Sequence, residues 1–259
     1  MPTPGLIETR EYDALRVHIF EDSIALAAYA VAELAPILEA SIARRGYASI
    51  VLATGNSQLR LMERLRGRPD IAWPNVIVFH MDEYLGMAED HPASFQRYIR
   101  EQLTDLVSPQ AFFGMRGDAP DVEGELQRYA ELLVRYPPDA TVLGIGENGH
   151  LAFNDPPADF TTDRLIHVVE LDDACRRQQV GEGHFATLED VPRQAISLTI
   201  PALVASRHLL AIVPERRKAA AVKAALEGPI TPDCPASILR RQEHARLYLD
   251  RESAALLDS

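Results

Sequence analysis

Short apolar runs alternate with longer amphipathic segments along most of this chain. Apolar runs predict strands at 48–53, 75–79, 141–145, 195–200, 208–213 and 245–249, and 14–19 is a possible edge strand. The segment 164–171 alternates well enough for a further strand. Between them, segments such as 23–45, 122–136 and 215–226 carry apolar residues at helical spacing. This alternation favours a parallel sheet with helices on both faces. We therefore predict an α/β fold: a single Rossmann-like domain over residues 1–259, with a mainly parallel sheet of about seven strands.

The composition argues against several kinds of partner. The 259 residues are 47% hydrophobic and carry a formal net charge of −12. Nucleic acids and anionic membranes both attract basic surfaces, so we expect neither as a partner. No run approaches about 18 consecutive apolar residues, and no signal peptide is apparent. Cys175 and Cys234 show neither metal nor disulfide spacing, which fits a cytoplasmic protein. A homo-oligomer is left open.

A cluster of polar residues follows the run at 141–145. Gly144 and the glycines after it let the backbone turn sharply and approach a ligand closely. His150 can change charge near neutral pH, and Asn148 and Asp155 are close enough in sequence to orient it. Ligands of α/β sheets bind at the carboxyl ends of strands, where this cluster would lie. The alternative is a glycine-rich turn with a capping histidine.

The run at 48–53 leads into Thr54, Gly55, Asn56 and Ser57, and then into a predicted helix. Hydroxyls and free backbone N–H groups at the positive end of a helix form an anion site. The alternative is an ordinary N-capped turn between a strand and a helix.

The run at 75–79 is followed by an acidic pair, Asp82 and Glu83, and by Tyr84. Neighbouring carboxylates can hold one partner at a pKa suited to proton abstraction. The alternative is a solvated strand end.

Two features further along the chain complete the candidate site. Lys218 lies in the first turn predicted for 215–226, where a lysine opposes the helix dipole. That placement is unfavourable unless the lysine meets an anion. The polar segment 172–190, which holds Arg176, is a candidate lid or helical flap.

In this order, the polar stretches resemble the glucosamine-6-phosphate deaminase family, also called glucosamine-6-phosphate isomerase, within the group that includes 6-phosphogluconolactonases. The resemblance covers about residues 20–250. It rests on Leu52-Ala-Thr-Gly-Asn-Ser57, Met81-Asp-Glu-Tyr84 with His91-Pro92, and Gly144-Ile-Gly-Glu-Asn-Gly-His-Leu-Ala-Phe-Asn154. The lactonase branch has an arginine after its Asp-Glu pair and no Phe-Asn after its Gly-His. The second and third motifs therefore favour the deaminase branch.

The resemblance implies conversion of glucosamine 6-phosphate into fructose 6-phosphate and ammonia, without a metal or an organic cofactor. It implies Asp82 as the base that moves a proton from C2 to C1, and His150 as the proton shuttle of ring opening. Asn148 and Asp155 would orient His150. The implied ligands of the sugar phosphate are Thr54, Gly55, Asn56, Ser57, Gly144 and Lys218, with Glu83, Tyr84 and Arg176 as further candidates.

Three positions depart from the family pattern. Many members have Asp where this chain has Asn148, and Asp155 replaces a glutamate, so it would need a bridging water or a shifted loop to reach His150. The family's second anion-binding arginine is absent, and Gly181 is nearest to its position. These departures leave other readings open: galactosamine 6-phosphate or a sugar-phosphate lactone as the substrate, or a non-catalytic sugar-phosphate sensor.

Overall fold

The strands of this fold are mostly short and buried on both faces. The computed structural model describes residues 4–258. Its strands are β1 (Leu6–Tyr12), β2 (Leu15–Phe20), β3 (Ala48–Leu52), β4 (Val76–His80), β5 (Asp82–Tyr84), β6 (Ala111–Phe113), β7 (Ala140–Leu143), β8 (Ile166–Glu170), β9 (Gln194–Leu198), β10 (His208–Val213) and β11 (Ala245–Asp250).

Eight of these strands form the central sheet, in the order β1-β2-β11-β10-β7-β3-β4-β6. β1 is antiparallel to β2, and the other neighbours are parallel. β3, β4 and β7 are buried along their whole length, as expected for strands covered on both faces. The predicted α/β fold with a mainly parallel sheet is confirmed.

Helices cover both faces of this sheet. They are α1 (Ser23–Arg45), α2 (Leu59–Arg66), α3 (Phe95–Ile99), α4 (Asp105–Val107), α5 (Val122–Arg135), α6 (Asp173–Gly181), α7 (Ile200–Val204) and α8 (Ala219–Glu227). A π-helical turn, Arg100–Thr104, joins α3 to α4. α1 and α2 pack with Ile50 and Leu52 on one face, whereas α5, α7 and α8 pack with Val51 on the other. Successive residues of β3 thus enter opposite cores.

Helix α1 begins and ends where its sequence predicts. The Asp22 carboxylate accepts hydrogen bonds from the N–H groups of Ile24 and Ala25, and Gly46 ends the helix at φ 85°. By length and composition alone α1 could cross a membrane, but Leu26 and Leu34 on its inner face are buried in the core of the domain.

The prediction was wrong about which sheet holds two of the strands. The runs at 164–171 and 195–200 form β8 and β9, which pair antiparallel with each other, and β9 pairs with β5. This second sheet has three strands and lies outside the main sheet. The exposure of β8 alternates along the strand, which is typical of a strand with one solvated face.

The topology brings four strand ends together. β10, β7, β3 and β4 are consecutive neighbours and run parallel. The segments that follow them are 214–218, 144–150, 54–57 and 81–84, so the predicted polar clusters converge at one edge of the sheet.

Candidate active site

A cavity opens at this edge of the sheet. Predicted site residues line it from each strand end, namely Thr54, Gly55, Ser57, Asp82, Gly144, His150 and Lys218. Helix α6 adds Gln178 and Gln179 to the wall, and Glu182 follows directly after the helix. The segment expected to be a lid thus contains a helix that contributes to the wall of the cavity.

His150 is held by a carboxylate and by an amide. Its Nδ1 lies 3.0 Å from Oδ1 of Asp155, and its backbone N–H donates to Oδ1 of Asn148 at 3.0 Å. The Asn148 amide donates to Asp155 at 2.9 Å and to Asp172 at 3.1 Å. Asn148 therefore orients the imidazole through Asp155 and through the backbone, without touching the ring.

Asp155 is an ionised carboxylate in this network. Burial raises its pKa, but the hydrogen bond and charge of His150, with hydrogen bonds from Asn148 and the N–H of Asp172, outweigh burial and lower the pKa below its ordinary value. Asp155 contacts His150 directly, so neither a bridging water nor a shifted loop is required for the shorter side chain to reach the ring.

Glycine is required at position 146, beside His150, and a side chain would be crowded at position 144. A Cβ on Gly146 would lie 2.2 Å from Nε2 of His150, inside the ring's own space. A Cβ on Gly144 would lie 3.2 Å from the Gln58 amide nitrogen, which donates to the carbonyl of Ile212. Both positions allow close packing at the end of β7.

Asp82 faces the cavity as an unengaged carboxylate. It is 6% exposed, and the residues described include no hydrogen-bond donor to its side chain. Burial, and then the charge of Glu83, raise its pKa well above the ordinary value. A raised pKa suits a base that must also return the proton it takes.

Glu83 points away from the cavity and organises the wall behind Asp82. Its carboxylate accepts hydrogen bonds from the hydroxyl of Ser94 and from the N–H groups of Tyr84, Phe95 and Gln96. Burial raises its pKa to about 7 against the pull of these hydrogen bonds. Glu83 thus caps the start of α3 and adds negative potential near Asp82.

Three of the four loop residues after β3 face the cavity. Thr54, Gly55 and Ser57 line it, whereas the Asn56 side chain turns outward and donates to the carbonyl of Glu182 at 3.2 Å. Gly55 has φ 98°, which favours glycine.

Lys218 closes this side of the cavity at the end of a 3-10 turn, Arg216–Lys218. It is 3% exposed and has no ion-pair partner among residues 4–258. Burial and the charge of Arg217 lower its pKa.

Two other candidates lie outside the cavity. Tyr84 is fully buried and packs against Phe95, Phe153 and Phe185. The Arg176 guanidinium is buried on the far side of α6. It pairs with Asp173 and donates to the carbonyls of Leu188 and Val191. Arg176 therefore holds the segment that follows α6 against the helix.

Sequence reasoning missed the wall residues from α6, Gln178, Gln179 and Glu182. The available signal was the polar segment 172–190 itself, whose Asp172 accepts a hydrogen bond from the N–H of Cys175 and caps the helix.

The side chains of His150, Asp155 and Cys175 lie close enough to share a metal ion, with their ligand atoms within 4.8 Å of one another. Burial, and then the charge of Asp155, raise the pKa of Cys175, so its thiol is protonated at neutral pH. The prediction that no metal is needed stays a prediction.

The sequence matches a family model described as glucosamine-6-phosphate isomerases/6-phosphogluconolactonase over residues 21–249. The chain belongs to this family. A glucosamine-6-phosphate deaminase of Exiguobacterium sibiricum is 37% identical over 209 residues, which are 81% of this chain and 81% of the relative. One of Listeria monocytogenes serotype 4a is 35% identical over 221 residues, 85% of this chain and 92% of the relative. The family resemblance and the prediction of an enzyme are confirmed.

Solved structures of the family share the fold. A monomeric glucosamine-6-phosphate deaminase matches with a TM-score of 0.85 at 29% identity, over 93% of this chain and 99% of that chain. A 6-phosphogluconolactonase from Shewanella baltica matches with a TM-score of 0.76 at 23% identity, over 95% of this chain and 100% of that chain. The lactonase likeness concerns the fold alone.

Proposed function

We propose that this enzyme converts glucosamine 6-phosphate and water into fructose 6-phosphate and ammonia. The observation that carries the proposal is the arrangement of three groups around one cavity. The His150–Asp155 pair, the free Asp82 carboxylate and the 54–57 loop with Lys218 form its different walls. A sugar phosphate needs these groups: a proton shuttle, a base and an anion site.

In the proposed reaction, His150 opens the sugar ring. It accepts the proton of the C1 hydroxyl and delivers a proton to the ring oxygen, which leaves an aldehyde. Asp155 keeps Nδ1 engaged, so Nε2 is the nitrogen left to exchange protons with the substrate. General acid–base groups of this kind typically contribute about 10²–10⁴-fold each.

Asp82 then moves a proton between neighbouring carbons. It takes the C2 proton while the C1 oxygen gains a proton from the substrate's own ammonium group, giving an enolamine, and it then returns the C2 proton to C1. The resulting C2 iminium adds water and releases ammonia, which leaves the ketone. A carboxylate without hydrogen-bond donors, as Asp82 is, is a stronger base than one stabilised by donors.

The phosphate would bind the N–H groups and hydroxyls of the 54–57 loop, opposite Lys218. Free N–H groups at the start of the helical segment 56–66 favour an anion. The unpaired charge of Lys218 would be satisfied by the substrate, which accounts for a buried lysine without a protein partner.

The deciding experiment is ammonia release from glucosamine 6-phosphate by the purified enzyme. We expect ammonia and fructose 6-phosphate in equal amounts, and their absence at high enzyme concentration overturns the proposal. Galactosamine 6-phosphate and 6-phosphogluconolactone belong in the same panel, compared by kcat/KM. Binding across the panel without turnover would indicate a sensor.

We further propose a cytoplasmic location, in keeping with two free cysteines. Whether the enzyme forms a homo-oligomer stays open.

A further inference from the structure

Glu182 places a carboxylate inside the anion side of the cavity. Its side chain is only 6% exposed and lines the cavity together with Thr54 and Ser57. Its Oε2 lies 3.6 Å from the position that a Cβ would take on Gly55. The carboxylate therefore lies over the loop that the proposed function assigns to the substrate phosphate.

Arg217 is the cation that holds this carboxylate. Its Nη1 donates to Oε1 of Glu182 at 2.6 Å and to Glu147 at 3.1 Å, and its Nε donates to Glu215 at 2.6 Å. The guanidinium is thus occupied by carboxylates, while the ammonium of the next residue, Lys218, is left unpaired among residues 4–258.

Glu182 is ionised at neutral pH. Gln178 donates to Oε1 at 2.8 Å, and Nε2 of His184 lies 3.4 Å from Oε2. Burial raises the pKa of Glu182, but the nearby His184 ring, the hydrogen bonds of Arg217 and Gln178, and the charge of Arg217 outweigh burial and lower the pKa to about 2. A phosphate entering the loop would meet a negative charge in a poorly hydrated space, where like charges repel strongly.

Open space lies beside Glu182 at the end of α6. Glycines flank it on both sides, and a Cβ on Gly181 or Gly183 would meet nothing within 4 Å among the described residues. Gly183 also has φ 83°, which favours glycine. The backbone N–H of Glu182 donates to the carbonyl of Gln178 at 2.8 Å, so displacement of the carboxylate would be a movement of the side chain.

We propose that the substrate phosphate displaces the Glu182 carboxylate, and that Arg217, once released from it, becomes a phosphate ligand beside Lys218. This inference rests on the proposed function of the site. A group that replaces the carboxylate lies between the loop at Gly55 and the guanidinium of Arg217. Guanidinium groups suit this exchange because they bind carboxylates and phosphates with the same fork of N–H donors. In this proposal the Glu182–Arg217 ion pair sets the enzyme's selectivity for a phosphorylated sugar, because only a sugar that carries an anionic group can replace the carboxylate.

The test is binding of inorganic phosphate to the full chain, measured by isothermal titration calorimetry. Glu182→Gln removes the competing charge and keeps the shape, so we expect phosphate to bind about tenfold or more tightly. Glu147→Gln is the matched control. It removes a carboxylate from the same guanidinium, but Glu147 is 43% exposed and outside the cavity. We expect the control to change the affinity by less than about threefold.

A second substitution separates a phosphate ligand from a simple anchor of Glu182. In the Glu182→Gln background, Arg217→Gln should weaken phosphate binding by about tenfold or more. An Arg217 that only anchors Glu182 would leave the affinity of that background unchanged, and this result overturns the proposal. An unchanged affinity in Glu182→Gln alone also overturns it.

Glu182→Asp covers the case in which the glutamine variant does not fold. The shorter side chain withdraws the carboxylate from Gly55, so the phosphate affinity should lie between those of the wild type and the glutamine variant. Wild-type affinity in this folded variant counts against the proposal.

The anion exchange and the proposed function can fail separately, because phosphate binding is measured without turnover. If Glu182→Gln tightens phosphate binding but the wild type releases no ammonia from glucosamine 6-phosphate, the proposed function fails and the anion exchange stands. Ammonia release with unchanged phosphate affinity in the variants overturns the anion exchange alone.

Discussion

Nδ1 of His150 and Oδ1 of Asp155 lie 3.0 Å apart, and each partner is fixed by further contacts. The second carboxylate oxygen of Asp155 accepts the N–H of Asp172 at 3.0 Å, and the Asn148 amide bridges Asp155 and Asp172. Because Asn148 is neutral, Asp155 is the acid in direct contact with the ring. Asp155 thus contacts the ring directly, and Asn148 acts on it only through Asp155 and the backbone N–H of His150.

Asp155→Asn should therefore impair ring opening more than substrate binding. An amide keeps the size but loses the charge that stabilises protonated His150, so we expect kcat to fall by about 10²-fold or more with little change in KM. Steady-state ammonia release measures both constants. Asp159→Asn is the control, because Asp159 lies on the same loop and its exposed carboxylate accepts hydrogen bonds from the N–H and hydroxyl of Thr161, away from His150. A kcat for Asp155→Asn within threefold of the control would contradict this role.

The same pair predicts a pH dependence of stability. The pKa of Asp155 is lower in the folded protein than in the unfolded chain, where it is about 3.9. Asp155 therefore stabilises the fold above about pH 4, and this contribution is lost as pH falls through the folded pKa. The difference in unfolding free energy between wild type and Asp155→Asn should be largest near neutral pH and shrink in acid. Urea unfolding at a series of pH values measures it, and a difference that grows in acid would refute the assignment.

Asp82→Asn should abolish the isomerisation while leaving the site able to bind. The amide cannot accept the C2 proton, so kcat should drop by about 10²–10⁴-fold. The wall residues that would hold the phosphate are unchanged, so inorganic phosphate should bind as it does to the wild type. Exchange of the C2 hydrogen with deuterated water, followed by NMR, reports the step directly. Retained exchange in the variant would remove Asp82 from the mechanism.

Glu83→Gln should shift the acidic limb of the pH–rate profile to lower pH. Burial is the main cause of the raised pKa of Asp82, and the Glu83 charge adds to it. Without that charge the ionised form of Asp82 is less disfavoured, so its pKa falls and the base form persists in more acidic solution. Glu101→Gln is the control, because Glu101 is an exposed carboxylate that pairs with Arg97 at the surface. An unshifted limb in Glu83→Gln would show that Glu83 does not influence the base.

Six strands of the main sheet could be predicted because they are buried along most of their length, which produces mainly apolar runs such as 48–53 and 75–79. The two edge strands, β1 and β6, are partly exposed and were not predicted. The second sheet could not be predicted. β8 is half exposed, and β5 is the three-residue polar segment Asp82–Tyr84, which becomes a strand only because β9 pairs with it. Pairing between distant segments leaves no local periodicity in the sequence.

The site residues divide in the same way, into those that local sequence patterns place and those that packing between distant segments places. Asp82, His150 and Lys218 lie at strand ends or helix starts, where sequence patterns carry direct information about position. Gln178 and Glu182 reach the cavity only because α6 packs over it. A polar helix gives no sign in its sequence of which polar residue faces a ligand, and Arg176, the residue selected by charge, faces the other way.

Lys218→Met should reduce phosphate binding and stabilise the empty enzyme. The lysine is 3% exposed and unpaired among the described residues, and burial lowers its pKa, so the folded protein bears a cost for holding the charged form. Methionine fills a similar volume without that charge. We expect the affinity for inorganic phosphate to fall by about tenfold or more, while the free energy of unfolding rises by about 1 kcal/mol, or about 2–4 °C in Tm. Calorimetric titration and thermal unfolding measure the two effects.

Lys223→Met is the matched control for the two opposite effects expected of Lys218→Met, weaker phosphate binding and higher stability. Lys223 is 40% exposed and pairs with Glu227 and Asp258 on the surface of α8. Its substitution should leave both the phosphate affinity and the Tm close to those of the wild type. If Lys218 served packing alone, Lys218→Met would leave phosphate affinity at the level of the control. Weaker phosphate binding together with a higher Tm is the result that only a lysine held in place for an anionic substrate produces.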